Sequence, residues 1–319
     1  MEESHDIVSV NEKATKIAKE MIQSSEELGI AVIKLKNGAI VIDAGINVRG
    51  GLKAGKYFSE VCLGGLGRVS LSMRERLCVD VNVDRPAISC MASQFAGWAV
   101  KAEGYFAMGS GPARALARVE EKLFRELKYE DRCETAVIAL ETRKLPNENV
   151  AEFIAQKCHV RPDNLYILVA PTASIVGSIQ ISARVVETGV HKLHELGFDM
   201  GKIICGSGLA PIAPVAKNDL EAMGKTNDCV LYGGRTVFFV DADDAEVKKV
   251  IDEVPSSASK DYGVPFLELF QRYNKDFFKI DPKLFSPAEI AVSNTKTGSI
   301  FRSGKINDEI LSKSLGALV

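Results

Sequence analysis

The stretch at residues 170–189, APTASIVGSIQISARVVETG, decides how this chain is read. It follows an apolar run at 165–169 that reads as a strand, and its Pro/Thr/Ser turn opens an amphipathic helix predicted over 177–196. At about 3.6 residues per turn, Gln180, Arg184, Glu187 and His191 share one arc. Ile179, Ala183, Val186, Val190 and Leu193 share the opposite one. One face is patterned to pack, and the other carries a guanidinium and a carboxylate one turn apart. Such pairs are common on solvated helices, so the surrounding sequence has to decide what this one means.

Upstream, residues 11–28 read as an amphipathic helix with Ala14, Ile17, Ala18, Met21 and Ile22 on one face and Asn11 as its cap. Segments 30–35 and 39–43 form a predicted hairpin around Asn37-Gly38. The glycine-rich segment 45–67 reads as loop and strand edges. A strand is expected at 77–83, then a short strand at 87–91 and a helix over 93–101 containing Trp98. Pro112 is placed to start a helix over 113–119. Further strands are expected at 135–140 and 164–169, with a helix at 146–158 between them. A short strand at 202–205 runs into Gly206-Ser207-Gly208 and echoes Gly109-Ser110-Gly111. Ile290-Ala291-Val292 with Gly298 and Ile300 repeats the spacing of Ile30-Ala31-Val32 with Gly38 and Ile40, which predicts a second hairpin and two domains of related design. Interleaved helices and strands with both hairpin and crossover connections point to an α+β fold, away from a uniform doubly wound sheet.

The chain has 319 residues, 46% hydrophobic and 26% charged, with a formal net charge of −2. That profile fits a soluble globular protein of one large or two ordinary domains and suggests neither a nucleic-acid nor a membrane partner. The N-terminal MEESHDIVSVNEKATK lacks a signal-peptide core and no apolar run is long enough to span a bilayer, so a cytoplasmic location is expected. The seven cysteines (62, 78, 90, 133, 158, 205, 229) are scattered and never spaced Cys-x-x-Cys, which predicts reduced, buried thiols. Of the four histidines, His5, His159, His191 and His194, only His191 with Glu187 and His194 approaches a ligand cluster, and zinc recruits three or four donors, so no metal site is expected. Neither a Walker sequence nor a Gly-x-Gly-x-x-Gly helix opening is present.

Several long blocks carry a resemblance: YFAMGSGPARALA (105–117), APTASIVGSIQISARVVET (170–188), NDLEAMGKTND (218–228), KIDPKLFSPAEIAV (279–292) and, more weakly, DRPAISCMASQFAGW (84–98). In these the chain resembles the archaeal methenyltetrahydromethanopterin cyclohydrolases of one-carbon metabolism and methanogenesis along nearly its whole length. The resemblance implies two α+β domains with mixed sheets facing each other across a pocket. An approximate division falls at 1–170 and 171–319, and the domains are free to be discontinuous. It also implies a homotrimer and no cofactor, tetrahydromethanopterin being the carrier of the substrate.

That substrate would be a cationic amidinium whose bridging carbon is already electrophilic. Its hydrolysis needs a held water, a group that takes the water proton and a route for that proton to the leaving nitrogen. The family's Arg-x-x-Glu stands at 184–187, which implies Glu187 as general base and acid and Arg184 as the neighbour that tunes it. Charge pairing favours ionised Glu187, and enclosure opposes it. His191 reads either as a proton relay or as an ordinary surface histidine. The carrier's anionic tail calls for an anion site, to which Gly109, Ser110, Gly111 and Arg114 are assigned, the alternative being a tight turn that merely starts a helix. Tyr105, Phe106 and Phe285 are candidate stacking partners or core residues. Asn227 and Asp228 are candidates for hydrogen bonds to a polar ring edge, with capping as the alternative. Many family members have Lys where Phe95 stands, and Arg-Cys where Leu209-Ala210 stand. Two rival readings stay open: a non-catalytic pterin-carrier-binding protein, and a thiol hydrolase.

Overall fold

The structure is a computed structural model and describes residues 8–102, 104–276 and 279–316. His5 and the start of the N-terminal segment lie outside them. In chain order the main elements of the first half are α1 (Val10–Gln23), β1 (Ala31–Lys34), β2 (Ile40–Asp43), α2 (Leu52–Cys62), β3 (Gly67–Met73), β4 (Leu77–Val83), β5 (Trp98–Ala102), β6 (Tyr105–Ser110), β7 (Ala136–Glu141), α3 (Glu148–Lys157) and β8 (Leu165–Ala170). They continue with α4 (Ile175–Ser182), α5 (Val185–Glu195), β9 (Ile203–Pro211), α6 (Asp219–Gly233), β10 (Arg235–Val240), β11 (Glu289–Asn294), β12 (Ile300–Gly304) and α7 (Asp308–Leu315).

The strands form two mixed six-stranded sheets, ordered β1-β2-β8-β7-β6-β5 and β12-β11-β10-β9-β4-β3, so the class is α+β. Each sheet has an antiparallel hairpin at one edge joined to a parallel neighbour: β1-β2 to β8 in the first, β12-β11 to β10 in the second. They diverge at the next pair, where β8-β7 is parallel and β10-β9 antiparallel. The second sheet takes β3 and β4 from the first half of the chain.

The apolar runs of β7 and β8 are explained by burial on both faces. Ile138, Leu140, Ile167 and Val169 pack against Val150, Ala151 and Ile154 of α3. The alternate residues Val137, Ala139 and Leu168 meet Ala14, Ala18 and Met21 of α1 and Phe58 and Val61 of α2. The second sheet buries Val79, Val81, Phe238, Val240, Ile290 and Val292 against Val185, Val186, Val190 and Leu193 of α5. Its other face shows in the strict alternation of β10, where Val237 and Phe239 are exposed.

Both expected hairpins form, and strands and helices stand near 77–83, 135–140, 146–158 and 164–169. Other expectations are corrected. Segment 45–67 contains a helix, α2, because Ala54, Phe58, Val61 and Cys62 repeat at helical spacing and bury one face. Residues 87–94 wind as a π-helix where a strand was expected, and 98–102 are a strand where a helix was expected, since Trp98 and Val100 alternate with outward Ala99 and Lys101. The π-helix satisfies the end of α2: Ser89 and Ser93 donate to the carbonyls of Leu63 and Cys62. The helix begun at Pro112 stops at Ala117, with Arg118 left-handed. Asn11 is not the cap of α1; Ser9 is. Asn11 is fully buried, donating to Asp131 and to the Pro112 carbonyl and accepting from Val137 N–H.

The helix over 177–196 is two helices, α4 and α5, broken at Ala183-Arg184. β9 runs straight through Gly206-Ser207-Gly208. A Cβ on Gly206 would come within 2.8 Å of the Phe238 ring, and one on Gly208 within 2.7 Å of Val185. Bare backbone is what lets α5 lie this close to the sheet.

Candidate active site

The loop after β8 is pinned from three sides before α4 starts. Ser174 caps α4 by accepting Gly177 N–H at 2.9 Å. Asp219, at the start of α6, accepts Ala173 N–H at 2.8 Å and pairs with Arg143. Thr172 donates its hydroxyl to Glu141, the last residue of β7. This is the carboxyl end of the parallel β7-β8 pair, a usual place for sites in sheets with parallel strands.

The helix break makes Arg184 the N-cap residue of α5 and puts Glu187 in its first turn, where the helix dipole favours a carboxylate. Arg184 Nη1 donates to the Gln94 carbonyl at 2.6 Å and Nη2 to Gln180 Oε1 at 3.2 Å. Gln180 Nε2 faces Glu141 Oε2 at 3.3 Å. The nearest approach of Arg184 to Glu187 is 3.9 Å, so the two interact by charge without a hydrogen bond.

Glu187 is 5% exposed. Burial raises its proton affinity above the ordinary carboxylate value, against the opposing pull of Arg184, His191 and Arg114. Desolvation therefore wins the competition that the sequence left open. The carboxyl group can hold a proton where an exposed glutamate would not, and give it up again beside a cation.

The Gln94 carbonyl, at the end of the π-helix, joins several parts of the site. It also accepts the Ser110 hydroxyl at 2.6 Å, while Gln94 Nε2 donates to the Ala183 carbonyl at 3.1 Å, across the helix break. Next to it, Phe95 stacks on His191 with centroids 5.0 Å apart, and the Arg114 guanidinium lies 5.2 Å from the centre of the same Phe95 ring. Phe95 and His191 help line a cavity of about 340 Å³ whose walls also include Glu120, Lys122 and His194. Arg184 and Glu187 are not on those walls.

The structure thus brings Arg184, Glu187, Ser110, Arg114 and His191 into one neighbourhood. Several of these groups are already engaged. Ser110 is 3% exposed, with its hydroxyl on Gln94, and Gly111 N–H donates to the Ser93 carbonyl at 2.8 Å. Gly109 pairs within the sheet, where a Cβ would come 2.9 Å from the Trp98 carbonyl. Arg114 is fully buried, donating to Glu120 at 2.7 Å and to the carbonyls of Met91 and Ser93. Tyr105 lies in the core of the first sheet, and Phe106 is 56% exposed on the neighbouring strand position.

Asn227, Asp228 and Phe285 belong to a C-terminal helical cluster. Phe285 packs edge-on to Phe266, and Asn227 donates to the Met223 carbonyl at 2.8 Å. Asp228 has no exposed surface and caps the helix Phe266–Arg272 from the side, accepting Phe266 N–H at 2.9 Å and the Ser314 hydroxyl. Ala210 is buried in β9 and Leu209 is half-buried.

Gln94, Glu141 and Thr172 are the polar groups that sequence reading did not single out. Glu141 carried a usable signal, a carboxylate that ends an otherwise apolar strand. Gln94 carried none, because its segment reads as strand and helix and folds as a π-helix. Five of the seven cysteines are buried and all are free. Among the described residues no group of three or more His, Cys, Asp or Glu is arranged to hold a metal ion, and no helix is long and apolar enough to cross a membrane.

Comparison with known proteins extends over the whole arrangement. A methenyltetrahydromethanopterin cyclohydrolase of Methanocaldococcus jannaschii is 50% identical, the match covering 97% of this chain and 99% of that protein. Those of Methanothermobacter marburgensis and Methanococcus aeolicus are 48% and 47% identical, over 97% of this chain and 100% and 98% of theirs. The profile described as Cyclohydrolase (MCH) matches residues 9–315, and the chain belongs to that family.

Proposed function

We propose that this chain hydrolyses the methenyl bridge of methenyltetrahydromethanopterin, reversibly, to 5-formyltetrahydromethanopterin. The observation that carries the reading is the buried carboxyl group of Glu187, its proton affinity raised by enclosure, 3.9 Å from a guanidinium. Water adds to the cationic carbon and Glu187 takes one of its protons. The bond from that carbon to the arylamine nitrogen then breaks, Glu187 returns the proton to that nitrogen, and the formyl group stays on the ring nitrogen. The second water proton leaves to solvent, so the cation becomes a neutral amide with net release of one proton. His191, in the same helix and 32% exposed in its side chain, supplies a route outward.

Arg184 stabilises the ionised form of Glu187 during water binding and loses that role as the proton arrives. The substrate carbon is activated by its own charge, so the reaction calls on no cofactor beyond the carrier. The reading extends to a pterin pocket between two α+β domains, to aromatic and polar contacts from the remaining residues named above, to a homotrimer and to a cytoplasmic location. The names of the relatives support the substrate assignment.

The test is Glu187→Gln. With the fold and substrate binding retained, turnover should fall by about 10²–10⁴, the usual worth of a positioned base. Loss of the near-ultraviolet band of the methenyl compound follows the reaction. Unchanged turnover in the variant rejects Glu187 as the base. A wild-type protein that binds the compound and leaves the band intact is a carrier-binding protein and not a hydrolase.

A further inference from the structure

Arg184 is held by more polar groups than an ion pair with Glu187 requires. Two of its nitrogens are committed to the Gln94 carbonyl and to Gln180 Oε1, and the guanidinium stops 3.9 Å short of the carboxylate. Gln180 is 3% exposed, and its orientation is dictated by its other neighbour. Glu141 as a carboxylate only accepts, so the Gln180 amide nitrogen must face Glu141 and its oxygen must face Arg184. The Thr172 hydroxyl fixes Glu141 in turn. Donation therefore runs from Arg184 to Gln180 and from Gln180 to Glu141, which also accepts from Thr172 on its other oxygen.

We propose that Gln180, oriented by Glu141, is a positioning residue that holds the Arg184 guanidinium away from the Glu187 carboxylate. The proposal rests on the reading of Glu187 as the base. An unrestrained guanidinium this near would close to a charge-assisted hydrogen bond, at about 2.7–2.9 Å, and favour ionised Glu187 more strongly. The result would be a weaker base. The other groups that bear on Glu187 are His191 on α5, Arg114 from the helix Ala113–Ala117 and the Cys90 thiol of the π-helix. Gln180 bonds to Arg184 and Glu141, so a change at Gln180 reaches Glu187 through Arg184.

The experiment compares the pH dependence of turnover in the intact wild-type, Gln180→Met and Glu141→Gln proteins. Infrared titration of the Glu187 carboxyl band, assigned by difference from Glu187→Gln, runs alongside. In Gln180→Met the acidic limb and the band should both move to lower pH by about one unit. The plateau kcat should fall several-fold with KM nearly unchanged. Glu141→Gln, which replaces a partly exposed carboxylate by its isostere, should move both in the same direction by less, and it decides alone if Gln180→Met does not fold. A limb and band that stay in place, or move up, overturn the proposal. An acidic limb that persists in Glu187→Gln sinks the base assignment itself, a separate result.

Discussion

Asp228→Asn separates a structural carboxylate from a substrate contact. Burial pushes the Asp228 carboxyl from the ordinary 3.8 up to about 7, against the hydrogen bonds from Ser314 and Phe266. Between those values the folded protein holds a proton that the unfolded chain has released. Stability therefore falls as pH rises through that window, by about 1.4 kcal/mol per pH unit and by an upper bound of about 4 kcal/mol at pH 8. Asparagine keeps the acceptor for Phe266 N–H and offers an amide to the Ser314 oxygen, without a charge. At pH 8 the variant should be more stable than wild type by up to about 4 kcal/mol, a rise in Tm of up to about 6 °C by calorimetry. At pH 4 the two should coincide. A gain of equal size at both pH values, or a variant destabilised at pH 8, refutes the reasoning. Turnover should keep its KM; a raised KM would return Asp228 to the substrate site.

Other perturbations follow from the same geometry. Gly177→Ala places a Cβ 2.2 Å from the Pro171 carbonyl and 2.5 Å from that of Thr172, so the loop that fixes Glu141 must shift. Urea unfolding should show a loss of about 1–3 kcal/mol, together with reduced kcat. Arg114→Met removes a fully buried guanidinium that serves Glu120 and two carbonyls, and calorimetry should register a loss of about 3–5 kcal/mol. Because burial raises the proton affinity of Glu187, wild-type turnover should decline as pH falls through a value above the ordinary 4.5, and a limb at or below 4.5 contradicts that shift.

Periodicity made much of the frame legible. The edge hairpins, the buried parallel strands β7 and β8 and the helix α3 all follow from alternation or from continuous apolar runs between turn residues. It misled where glycines and small polar residues masked a pattern, as in α2, where Gly55 and Ser59 sit among the buried positions. A π-helix has no periodic signature of its own, so 87–94 was unreadable. The Arg184 and Glu187 pair was visible because both lie within one turn of one segment. The break between them and Gln180 was not, because Ala183 and Arg184 are both ordinary helix residues. Glu141, Thr172 and Gln94 enter from distant segments, and only tertiary packing assembles them.

The glycines at 206 and 208 have a consequence for anyone who would transplant this chemistry. Val185 and Val186 of α5 rest where those two positions lack side chains, so the depth of Glu187 is set about twenty residues downstream of it. Copying Arg-x-x-Glu onto another strand–helix unit would reproduce the charges at the wrong height, with the carboxylate lifted toward water and its acidity restored. A graft has to carry the bare strip of the receiving strand along with the motif.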